Sequence, residues 1–200
     1  MTKLIIDGAL VEDIWLRLSD EESVPDGHVT VSFSRWLAQR DVLIERRRTA
    51  RSSLGVRLTL DDDPLRLHDD SALFDLIVIE STAPADGRLF SIAARVREHV
   101  MYRGELRVVG QIAPDQLAFM RRCGINAYQL DADIDVVQFL SNFQRHYQSG
   151  GPHDAMGNGI GEARFGRRAS ERRDEEGDEY LGAVKTIQAA ENARVHCHDD

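Results

Sequence analysis

Cysteine is nearly absent. The 200 residues hold two, Cys123 and Cys197. A pair so distant does not make a disulfide framework, and it suits a reducing cytoplasm. Within the domain, no ligand set is sufficient for haem or an iron–sulfur cluster. Excess positive charge is missing too: 25 basic residues stand against 34 acidic ones. A net charge of -9 argues against a nucleic-acid surface, because phosphate contact needs surplus Lys and Arg. No apolar run approaches the roughly 20 residues of a membrane span. Asp7 interrupts the first apolar run soon after Lys3, which argues against a secretory signal. GxSxG, HExxH and P-loop patterns are all lacking.

The chain is nevertheless 42% hydrophobic, enough for a core. Composition changes near residue 149. Residues 1–148 alternate apolar segments with short polar breaks. The following SGGPHDAMGNGIGEARFGRRASERRDEEGDE is rich in Gly and charge. It reads as a disordered tail over 149–200, with a weak helix over 179–194. Seven basic and eleven acidic tail residues do not make a nucleic-acid arm.

In the domain, Asp7–Gly8 between apolar runs predicts a hairpin. HVTVSF, LGVRLTL, LIVIE, LRVVG and AYQL predict strands. Helices are expected at 34–48 with Ser34 as N-cap, at 87–99, at 114–123 and at 134–147, and a short one starts at Asp63–Pro64. Repeated strand–helix alternation predicts an α/β fold. The expected sheet has about five mostly parallel strands flanked by helices, doubly wound by first choice and a partial barrel by second. Leu89, Ile92, Ala93, Val96 and Val100 share one helix face, as do Val136, Phe139, Leu140, Phe143 and Tyr147. These are core stripes.

The best binding candidate is the turn and helix start after LIVIE. Asp86, Gly87 and Arg88 open the helix, and Ser91 and Arg95 continue one face at spacings of three and four. The loop after a parallel strand lies at the carboxyl end of the sheet, where ligands bind. A helix amino terminus favours anions. With Glu80 and Gln111 at neighbouring strand ends, these residues would meet sulfite, sulfate or phosphate. The plainer alternative is an N-capping Asp86 with solvated or ion-paired arginines.

Arg40 falls within the apolar arc of Trp36, Leu37, Leu43 and Ile44. It needs a carboxylate, an anion or a homodimer contact. Cys123, between Phe119 and Met120 on its helix, reads as a small buried hydrophobe. Asp61–Asp62–Asp63 reads as helix initiation rather than a metal site, and no metal centre is assigned. The GxGxG at 157–161 has no preceding strand, and His196–Cys197–His198 ends the tail.

Several ordered motifs carry a family resemblance: DGR-x-x-S-x-A-x-x-x-R, Y-x-G-E-L-R-x-V-G and DQL-x-x-x-x-R-C-G, together with LIIDGALVED, RWLAQRDVL and LGVRLTLDDDP. Over about residues 4 to 147 the chain resembles the bacterial family called domain of unknown function 934. It departs from that family's pattern at Ser81–Ala85, where an aromatic, lysine-containing segment is usual, and at Leu89–Phe90–Ser91, where Gly-Tyr-Ser is frequent. The resemblance implies a place beside sulfite reductase in sulfate assimilation, and such proteins are often labelled oxidoreductases. Two functions are therefore expected: an accessory protein binding the reductase or an oxyanion, or a small α/β enzyme acting on a sulfo- or phospho-metabolite. Neither the resemblance nor the residues name a cofactor.

Overall fold

The computed structural model describes residues 2–49, 53–82, 86–112, 114–131, 134–136 and 138–141. The tail expected over 149–200, the GxGxG and the terminal His–Cys–His lie outside these residues, as do residues 142–147 with Phe143 and Tyr147 of the expected core stripe.

Eight strands build one sheet. In chain order they are β1 Lys3–Ile6, β2 Ala9–Val11, β3 Leu16–Arg17, β4 His28–Ser32, β5 Ser53–Leu58, β6 Leu76–Ser81, β7 Glu105–Gly110 and β8 Ala127–Leu130. Across the sheet the order is β2-β1-β8-β7-β6-β5-β4-β3. Every neighbouring pair from β3 to β8 is parallel. β1 lies antiparallel to both β8 and β2. The sheet is thus larger than the expected five strands, and mixed.

The doubly wound expectation fails on this order. That fold needs strand order to reverse about a switch point. Here each parallel crossover steps to the next strand in one direction. Crossovers of one hand then place their helices on one face. These helices are α1 Phe33–Thr49, α2 Arg88–Glu98 and α3 Leu117–Arg122, with 3-10 turns at Pro64–Leu73 and Pro114–Gln116. No helix among the described residues is long and apolar enough to cross a membrane.

The sheet also has to curl. β2 and β3 are consecutive in the chain yet lie at opposite edges. Seven strand spacings of about 4.8 Å would separate the edges of a flat sheet by about 34 Å. Only Glu12–Trp15 connect them. The five Cα steps from Val11 to Leu16 reach at most about 18 Å. The result is a curled half-barrel.

Its two faces differ. Val31, Val56, Ile77, Leu106 and Tyr128 face the helices and join Trp36 and Leu43 of α1 and Leu89, Ile92 and Val96 of α2 in the main core. The alternate residues Thr30, Arg57, Leu76, Val78, Glu105 and Arg107 point the other way and are buried as well. That second burial explains strands that read as apolar on both faces.

Local details follow the residues. Asp7 and Gly8 both have positive φ, 50° and 82°, as a type I′ hairpin turn requires. The cap of α1 is Ser32, not Ser34: Arg35 N–H donates to Ser32 Oγ at 3.0 Å. β4 runs into α1 without a loop, so its last residue is the cap. Asp63 caps the Pro64 turn by accepting from Leu65 N–H at 3.2 Å.

Gly110 sits at φ +113°, where an added Cβ would lie 2.0 Å from the Ser81 carbonyl oxygen. Gly87 has open space around that position. Gly110→Ala is expected to lower unfolding free energy by about 3 kcal/mol or more, through backbone strain and collision together. Gly87→Ala should stay within about 1 kcal/mol of the parent. Urea denaturation of both variants checks this; equal stability of the two would show the β6–β7 approach to be wrong.

Candidate functional site

Two clusters of charge meet the carboxyl half of the sheet. The first is the loop after β6. Asp86 accepts the Arg88 backbone N–H at 3.0 Å, which starts α2. Arg88 Nε donates to both Asp86 oxygens at 3.1 Å, and Nη2 to Oδ2 at 2.7 Å. Arg88 Nη1 reaches Asp61, which follows β5. One guanidinium is therefore held by carboxylates from two adjacent strand ends. Hydrogen bonding from Arg88 pulls the Asp86 carboxyl below its ordinary range, while Asp86 and then Asp61 push Arg88 up. Both side chains are fixed in their charged forms.

The other predicted residues do not all join this cluster. Ser91 and Arg95 are exposed along α2. Gln111 is exposed beyond β7, and its backbone N–H donates to the Ser81 carbonyl at 3.4 Å. Glu80 turns to the non-helical face, where it pairs with Arg17 and lies 3.3 Å from Arg57 Nε.

Glu80 thereby belongs to the second cluster, on the concave face. Arg57 and Arg107 both neighbour Val78 in register, so they share one row across β5, β6 and β7. Arg57, 7% exposed, donates through Nη1 to Thr30 O and Oγ1 and through Nη2 to the Leu18 carbonyl at 2.7 Å. Burial, then the nearby Arg17, lowers its pKa. Arg107, 2% exposed, donates through Nε and Nη2 to Glu105 Oε1 at 2.9 and 2.7 Å. Its Nη1 reaches both Asp13 oxygens at 3.0 Å. Sequence reasoning passed over this row. The signal was present as single arginines inside LGVRL and ELRVV, where a charge must be buried with a partner.

Arg40 is held by Asp70: Nε donates to Oδ2 at 2.7 Å and Nη2 to Oδ1. Cys123 is half-buried against the core, and burial raises its thiol pKa, which opposes nucleophilic or redox work. Each of the three aspartates after β5 has a partner. Asp61 holds Arg88, Asp62 accepts from Thr59 N–H and Oγ at 2.7 and 2.8 Å, and Asp63 caps.

A family model described as bacterial protein of unknown function, DUF934, matches residues 55–155. The chain belongs to the DUF934 family. The match takes in the strands carrying Arg57, Glu80 and Arg107 and the whole Asp86–Arg95 segment, so both clusters draw on DUF934 sequence. Asp13, Arg17 and Leu18 lie before the matched region. No curated protein matches the chain.

The Asp86–Arg88 pair makes a titration prediction. A carboxyl held below its ordinary pKa adds stability above its unfolded value and loses it as pH falls through the folded one. Carboxyl-carbon NMR should therefore find Asp86 titrating below an unperturbed aspartate. Arg88→Ala should return it upward. An unchanged Asp86 titration in that variant would contradict the pairing.

Proposed function

We propose that this chain is an accessory protein of assimilatory sulfite or sulfate reduction in the bacterial cytoplasm, acting by binding the reductase or an oxyanion. The pathway rests on the family resemblance. The choice of binding over catalysis rests on one observation: at the carboxyl rim, Asp86 and Arg88 hold each other in their charged forms. A general acid or base works by exchanging a proton near the working pH. These two groups are driven the opposite way. They suit a fixed pattern of charge that another surface can read. In this reading the oxidoreductase label of the family describes the partner's chemistry.

A second reading, a small enzyme acting on an anionic sulfo- or phospho-metabolite, draws on Glu80. That carboxylate sits on the concave face with Arg17 and Arg57 beside it.

Deleting the gene is expected to impair growth when sulfate or sulfite is the sole sulfur source. Growth on cysteine should be normal, and the wild-type gene should restore the defect. Normal growth on sulfate, in a strain without a second copy, removes the pathway assignment.

A further inference from the structure

The helices on either side of β7 differ in charge from the rest of the chain. Against a net charge of -9, α2 and α3 together carry five arginines and a single carboxylate, Glu98. Asp115 stands in the turn before α3. Three of the five arginines are engaged within the fold. Arg88 is held by Asp86 and Asp61, Arg97 is buried against carbonyls, and Arg121 is half-buried. Arg95 and Arg122 are exposed, and neither has a hydrogen bond or ion pair among the described residues. Arg95 lies about two turns along α2 from Arg88, on the same face. The outer side of α2 thus extends the positive charge that starts at the carboxyl rim.

An aromatic pair joins these charges. In α3 the core positions are taken by Leu117 and Met120, so helical spacing turns Phe119 outward. Its side chain is 44% exposed, and among the described residues no other phenylalanine, tyrosine or tryptophan is exposed. Phe90 of α2 meets it edge to face, with ring centroids 4.6 Å apart. Arg122 stacks over the same ring, its guanidinium carbon 5.0 Å from the centroid. Stacking holds this side chain in place and leaves its N–H groups without an acceptor among the described residues. A fixed positive donor therefore stands beside an exposed apolar ring.

We propose that the outer surface of α2 and α3 is a docking surface for an acidic protein, whose carboxylates pair with Arg95 and Arg122 and whose apolar surface covers Phe119 and Phe90. The charge of the two helices selects the sign of the partner. Aromatic and arginine side chains with few carboxylates are the composition of an interface core. Binding energy concentrates where such side chains become desolvated together. The proposal rests on the binding reading above, in which the occupant is the reductase, and it names the surface that the reductase meets. A nucleic acid would offer phosphates to the same arginines, but the net charge of the whole chain opposes it.

The test is biolayer interferometry between the full chain and purified sulfite reductase of the same bacterium, at low and at high ionic strength. Binding should saturate and should weaken in high salt. Phe119→Ala, and separately Arg95→Glu with Arg122→Glu, should each weaken it by about tenfold or more. Arg48→Glu reverses an exposed charge on α1 instead and should stay within about twofold of the parent. All four side chains are exposed, so each variant should keep the circular dichroism and melting temperature of the parent. Parent binding that survives both changes on α2 and α3 overturns the docking surface and keeps the reductase as partner. No saturable binding by the parent removes the reductase from the binding reading, and the surface with it. A loss confined to Phe119→Ala overturns the acidic partner, and a loss confined to the arginine change overturns the apolar cover. A parent chain that sediments as a dimer, and as a monomer after Phe119→Ala, gives this face to a second copy and overturns the proposal as well.

Discussion

Four residues, Glu12 to Trp15, tie together the two edges of an eight-stranded sheet. A flat sheet of that width is far too broad for so short a link, so the sheet curls until its edges approach. One face becomes convex and takes the helices. The other becomes concave, and the link itself crosses it. The burial of Arg57, Arg107 and Glu105 and the meeting of Asp13 with Arg107 both follow from that constraint.

Burying these charges has a physical cost. Removing guanidinium and carboxylate groups from water is unfavourable, and an apolar row would often be as stable or more so. The chain meets the cost with close pairing on the concave face. It does so again at the opposite end of the sheet. There Arg97, 1% exposed, donates to the Gly124, Tyr102 and Gly104 carbonyls at 2.9 to 3.0 Å and to Asn126 Oδ1 at 3.2 Å. Burial lowers its pKa to about 10. Arg97 fastens the end of α2 to the turns that lead into β7 and β8. The two arginine systems differ in their partners. Arg97 is bonded to backbone and amide oxygens of the scaffold, whereas Arg107 gives one donor group to Asp13 and Arg57 one to the Leu18 carbonyl, on either side of β3.

Much of the architecture was legible in local pattern. LIVIE, LRVVG and AYQL are strands where their apolar runs indicate, Asp7–Gly8 makes its turn, and Asp63–Pro64 starts its helical segment. Strand order was not legible, because periodicity reports burial and is silent on neighbours. The doubly wound and curled alternatives share the same alternation of strand and helix. β3, with two exposed residues, carries no pattern at all, so the closing edge of the sheet went unseen. The site was half legible. Asp86, Gly87 and Arg88 were found because a capping turn is local. Asp61 was missed as the second partner of Arg88 because it arrives from another strand end. Asp13 was missed for the same reason, being 94 residues from Arg107.

A double-mutant cycle between Asp13 and Arg107 tests the curl and the link across it most directly. Asp13→Asn, Arg107→Gln and the pair together are compared in urea unfolding. The structure predicts a coupling free energy of about 1–3 kcal/mol, as for groups in direct charged contact. A coupling of zero within error would mean that the segment after β2 does not cross the concave face.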